Sequence, residues 1–181
     1  MELKEAHSGG SCPATRGEEM RRTAERLRAH VQSVRARTLS VLRRIPPDRM
    51  TWRPVEGMLT LGQLVRHLAQ AEMMCQEVVR GRWDLKQLLA VRRDLDLIEA
   101  TGPAENLMAE LALLEVTHRE TLELLGTLTD EDLARSMNGL AGRVTLYDVI
   151  LGLCEHEAHH RGQIVAYLRM LGIEHLSPWG F

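Results

Sequence analysis

The stretch VTLYDVILGLCEHEAHHRGQIVAYLRMLG, from Val144 to Gly172, decides the fold. Thr145 followed by Asp148 is an N-cap pair, since a hydroxyl and a carboxylate three residues apart can satisfy the free N–H groups of a first helical turn. From there a helix runs to about Leu171, and Gly172 stops it. This helix carries Glu155-His156-Glu157-Ala158-His159-His160-Arg161-Gly162-Gln163. Residues four apart lie about 40° apart on one face, so His156 and His160 can grip a single ion. Val149, Gly152, Gln163 and Tyr167 fall along the same line. His159 points about 60° to one side of His156, which makes His156 with His159 the weaker pairing without closing it off.

Working outward, Thr60-Leu-Gly-Gln63 is a capping box that opens a second helix, from about Leu61 to Arg80, with Gly81 as its stop. His67 sits within its apolar stripe of Leu64, Ala71, Met74, Cys75 and Val78. Taken alone, a histidine there is more often a satisfied core residue than a ligand. A helical bundle, however, brings side chains of separate helices together in its core. A third imidazole then completes three-quarters of a tetrahedral shell or half of an octahedral one. Three protein ligands leave a position open to water or substrate, the arrangement of catalytic zinc sites. Neutral imidazole suits Zn, Ni, Fe and Cu, so the donors do not name the metal.

Elsewhere the chain is organised around two further long helices. Residues 1–16 hold Ser8-Gly9-Gly10-Ser11 and Pro13 and read as a flexible N-terminal tail. Thr15 with Glu18 forms a capping box for a first helix, whose Ala24, Leu27, Val31, Val34, Leu42 and Ile45 make one stripe before Pro46-Pro47 end it. Arg21, Arg22, Arg26, Arg28, Arg35, Arg37, Arg43 and Arg44 are placed opposite that stripe as a solvated face. Trp52-Arg53-Pro54 is irregular, and residues 82–100 are helical in pattern. A third long helix is expected from near Pro103 to Gly126, with Leu107, Leu111, Leu114, Leu122 and Leu125 on one face. Thr129-Asp-Glu-Asp132 suggests one helical turn, and Asn138-Gly139 and Gly142 mark turns in a loop. Four amphipathic helices with two longish connections predict an all-α four-helix bundle over residues 17–181.

Composition agrees. A length of 181 residues suits one domain, and 44% apolar with only 3% aromatic residues favours helix over sheet. A net charge of −2 gives no general attraction to nucleic acid. Cys12, Cys75 and Cys154 contain no Cys-x-x-Cys pair, which argues against a disulfide scaffold or a zinc ribbon. No secretory signal or apolar run of spanning length is visible, so a cytoplasmic protein without a membrane partner is expected.

The stretch PDRMTWRPVEGMLTLGQLVRHL, Pro47 to Leu68, together with Val144 to Gly172, resembles the DinB/YfiT-like superfamily of metalloenzymes, and the resemblance covers nearly all of residues 18–172. It implies a four-helix bundle with a crossover connection, often dimeric. It also implies a divalent metal site whose ligands, carried over by position, are His67, His156 and His160. Zinc or nickel is the first choice, with iron or manganese after. The superfamily includes thiol-dependent transferases and isomerases that use low-molecular-weight thiols. One departure is Met58-Leu59, where the family often has an aromatic residue before the helix cap.

These features lead to an enzyme acting on a small-molecule substrate, with the open metal position activating a thiol or a water. The resemblance favours thiol transfer slightly over hydrolysis. A non-catalytic metal-binding stress-response module is the alternative. No catalytic residue is assigned beyond the ligands, although Gln163 and Tyr167 could orient a substrate. His118 is expected to be a buried polar residue with a local partner, and Glu157 either orients an imidazole or pairs with an arginine. Met73, Met74, Cys75 and Cys154 read as packing residues, the cysteines too apolar in context to act as nucleophiles. Finally, Ala158, Gly162 and Ala166 recur every four residues away from the ligands, a strip through which a homodimer could form.

Overall fold

The computed structural model describes residues 16–87, 102–139, 141–174 and 177. Helix α1 spans Arg16–Leu42, and a 3-10 turn follows at Pro47–Arg49. Next come α2 at Leu61–Val79 and α3 at Leu107–Leu125, then the short α4 at Asp130–Leu133. Strands β1, Ser136–Asn138, and β2, Arg143–Thr145, precede the last helix, α5, at Leu146–Met170. The expected tail and its Thr15 cap, and residues 88–100 of the helical pattern after α2, lie outside the described residues.

Local chemistry sets most of the helix starts. Thr60 with Gln63, Thr129 with Asp132 and Thr145 with Asp148 each form a complete capping box. Two expectations are corrected. Helix α3 begins at Leu107 rather than near Pro103, because Asn106 caps it by accepting from the Ala109 N–H, while Arg66 holds the carbonyls of Gly102 and Pro103 in an extended approach. The loop expected after α4 is instead an antiparallel hairpin pairing Ser136 with Thr145, so that Thr145 both ends β2 and caps α5.

Helix α2 packs chiefly on α3 and on α5, and α1 packs chiefly on α5 and then α3, which puts α1 and α2 on a diagonal. The core falls into two apolar clusters at opposite ends of the bundle. One joins Val41 and Leu42 of α1, Leu61 to Leu68 of α2, Leu107 and Leu114 of α3, and Ile164 to Leu168 of α5. The other joins Leu27 to Val34, Cys75 to Val79, Leu125, and Leu146 to Cys154. Membership of the two clusters shows that α1 runs parallel to α5 and α2 parallel to α3. Of these pairs only α2 and α3 are consecutive, and parallel neighbours cannot be joined by a tight turn, so the connection between α2 and α3 is the one that crosses over the bundle.

Between the clusters lies a polar belt. Arg35 Nη2 is 3.1 Å from Glu72 Oε1 and 3.0 Å from Glu157 Oε2, and His118 Nδ1 is 2.8 Å from Glu72 Oε1. Arg161 donates to the Thr38 hydroxyl at 3.1 Å. Arg35 is therefore not part of a solvated face as expected: it is 2% exposed. It follows Val31 by one turn and so shares the inward stripe, where two carboxylates compensate its charge. Arg26, Arg28, Arg43 and Arg44 are exposed, as expected. His118 has a partner on another helix rather than a local one, and Met73 is exposed rather than packed.

Candidate metal centre

The same belt holds the histidines. The capping box at Thr60 sets the phase of α2, and Gly62 lets the helix pass close to the chain before α3: a Cβ there would stand 1.7 Å from the Ala104 carbonyl oxygen. Two turns into α2, His67 faces α5. Its Nε2 lies 3.0 Å from Nε2 of His156, across 89 residues of sequence. His160 Nε2 is also 3.0 Å from His156 Nε2. Among the described residues these three form the group whose donor atoms could share an ion, all within 4.8 Å of one another. His67 and His160 are buried and His156 is partly so, whereas His159 is exposed and meets the His160 ring edge-on. The geometry thus favours His160 over His159.

The donor set fits a cation. One Nε2 carries either a single lone pair or a single proton, so His156 cannot make two good hydrogen bonds to two other Nε2 atoms at once. Nitrogens bound to one ion at about 2.1 Å stand roughly 3.0 Å apart at right angles and roughly 3.4 Å apart at the tetrahedral angle, and the approach of His156 to each of the other two, 3.0 Å, matches the former. The His160 ring is also oriented for the task. Its Nδ1 donates to Gln163 Oε1 at 2.7 Å, and that bond leaves the Nε2 lone pair directed at its two neighbours. Gln163 therefore supports a ring, a role different from the substrate contact expected of it.

Tyr167 has no part in the site. It is 3% exposed, packed edge-on to Trp52 at 5.5 Å, and burial pushes its phenol above the usual range. Glu157 takes the arginine-pairing role, with Arg35, and its burial pushes its carboxyl upward. The belt's ion cluster escaped the sequence reading, although Glu72, a carboxylate within the inward stripe of α2, was a signal for it.

A cavity of about 210 Å³ reaches the triad from the side of His67 and His156. Ala71, Met74, Val149 and Leu153 line it, with Gly152 beside them and Asp148 at its rim. Cys75 borders it with a thiol pushed up to about 12, chiefly by burial, and Cys154 is raised likewise to about 12. Both cysteines are thus protonated packing residues. Asp148 is held below the usual carboxylate range by the Thr145 hydroxyl and backbone N–H, and its Oδ2 is engaged in that cap.

Comparisons with known proteins place this geometry in context. A family model for the DinB superfamily matches residues 30–164. The chain is 25% identical over 148 residues to the uncharacterized protein YjoA of Bacillus subtilis strain 168, covering 80% of this chain and 88% of that protein. The crystal structure of YjoA, a DinB-like protein, superposes with a TM-score of 0.62 at 21% identity, over 83% of this chain and 94% of that one. YfiT from Bacillus subtilis, described as a "probable metal-dependent hydrolase with an unusual four-helix bundle topology", gives 0.63 at 19% identity, over 96% and 95%. A DinB-like protein from Bacillus cereus ATCC 10987 gives 0.61 at 17% identity, over 82% and 94%. At these identities the likeness to the solved structures is one of fold.

Proposed function

The chain belongs to the DinB superfamily, and from that premise we propose that it is a metal-dependent hydrolase of small substrates, holding one divalent cation with His67, His156 and His160. The observation that carries this reading is a three-imidazole cluster bordered by a mostly apolar cavity. Such a pairing of an open donor set with a mostly apolar, concave approach is typical of small-molecule sites. YfiT, which shares the fold, is itself described as a "probable metal-dependent hydrolase".

A divalent ion at such a site supplies Lewis acidity and can lower the pKa of a bound water from about 15.7 to near 7. The chain's own residues supply the rest. Gln163 fixes the His160 tautomer, and apolar walls flank the approach to His67 and His156. Cys75 is too high in pKa to compete as a nucleophile, and Asp148 is committed to its helix cap. Nothing in the cavity lining selects a thiol over water, so the slight preference for thiol transfer drawn from the resemblance gives way to hydrolysis. We also propose that two copies pair through Ala158, Gly162 and Ala166, and that the protein works without nucleic acid or membrane. Among the described residues no helix is long and apolar enough to cross a membrane.

Elemental analysis of protein purified without chelator tests the ligand set: each of His67→Ala, His156→Ala and His160→Ala should lose the metal. Equal metal in all three variants would overturn it. A panel of small esters and amides with Zn, Ni, Mn and Fe then tests the reaction. Turnover should vanish with chelation and return with metal, and activity that survives both chelation and His160→Ala would reject the mechanism.

A further inference from the structure

Helix α5 contains two interior glycines, Gly152 and Gly162, and of the two Gly152 is the one that borders the cavity. A glycine inside a helix costs about 1 kcal/mol relative to alanine, and α5 runs uninterrupted for 25 residues around it. At Gly62 the reason for glycine is a close backbone approach, but a Cβ built on Gly152 meets no heavy atom within 4 Å. Packing therefore does not require glycine here. The residue lies four positions before His156, one turn along the same face, and it lines the cavity that reaches the triad. Its missing side chain is space added to that cavity directly beside the histidines.

The remaining walls say what could fill the space. Ala71, Met74, Leu85, Val149 and Leu153 offer no hydrogen bond, the Cys75 thiol is a weak partner, and the one carboxylate, Asp148, stands exposed at the rim with Oδ2 engaged in the α5 cap. A polar group placed there would lose its water contacts without replacement, whereas methylenes would gain from burial. We propose that the cavity holds a short unbranched aliphatic arm of the substrate, its polar head toward the histidine triad, and that Gly152 sets the length of arm accepted. This rests on the metal-site reading of the previous section and names the substrate class for it.

The test uses binding, so that it does not depend on turnover. The full chain is loaded with Co(II), and its visible absorption is followed during titration with acetohydroxamate, butyrohydroxamate and hexanohydroxamate. Affinity should rise about three- to fourfold per methylene. In Gly152→Leu the ratio of hexano- to acetohydroxamate affinity should fall to near one, with Gly152→Ala intermediate; cobalt content and the thermal melt serve as folding controls. Affinity independent of chain length in the wild type, no spectral response at any length, or an unchanged ratio in a folded Gly152→Leu protein would each overturn the proposal. Chain-length-dependent binding without ester or amide turnover would reject hydrolysis alone and support the cavity assignment.

Discussion

Arg35 and Glu157 stand 3.0 Å apart, both withdrawn from solvent, and Glu157 follows His156 directly in sequence. The same guanidinium reaches Glu72 on α2, the helix that carries His67. One arginine thus ties together the two helices that supply the histidines, from a third helix that supplies none.

Loss of that tie should be costly. In Arg35→Met two carboxylates remain in the core without their cation, and breaking a buried pair in this way costs about 3–5 kcal/mol. Urea denaturation should show a large fall in the midpoint with little change in slope. A midpoint within experimental error of wild type would show that the belt contributes nothing to stability.

Gln163 should matter for metal and little for the fold. Gln163→Leu removes the acceptor for His160 Nδ1 and frees the ring to adopt the other tautomer. Supporting residues of this kind are worth about 10- to 100-fold in metal affinity. Competition titration with a chromophoric chelator measures the change, and Gln163→Glu, which keeps an acceptor oxygen, should recover most of it.

The cap of α5 carries a pH signature. Asp148 has its carboxyl lowered from 3.8 by the Thr145 side chain and backbone. A lowered carboxyl contributes stability that is complete above its unfolded value and is lost as pH falls through the folded value. Wild type should therefore melt above Asp148→Asn at neutral pH, and the gap should close only below about pH 4, the unfolded value of an aspartate. A gap that stays constant down to the acid transition would remove the charge from the account.

Self-association should depend on the outer strip of α5. Ala158 is exposed, Gly162 and Ala166 are half-buried, and a Cβ on Gly162 would meet nothing within 4 Å. Sedimentation at micromolar concentration should show a dimer in the wild type and a monomer in Gly162→Trp. A monomeric wild type, or a dimer that survives the substitution, would rule the strip out.

What the sequence determined by itself was local. The capping boxes at Thr60 and Thr145 and the pairing of His156 with His160 involve groups three or four residues apart, and helical geometry alone brings those together. The start of α3 and the inward turn of Arg35 depend on partners far along the chain, Arg66 for the first and Glu72 and Glu157 for the second, while the short hairpin at Ser136 to Thr145 rests on pairing between strands of three residues, too short to show an alternating pattern. Tertiary structure also decided the approach of His67 to His156 and the cavity beside them. Both depend on the relative register of α2 and α5, which the two apolar clusters set by packing, and packing leaves no short-range period in a sequence.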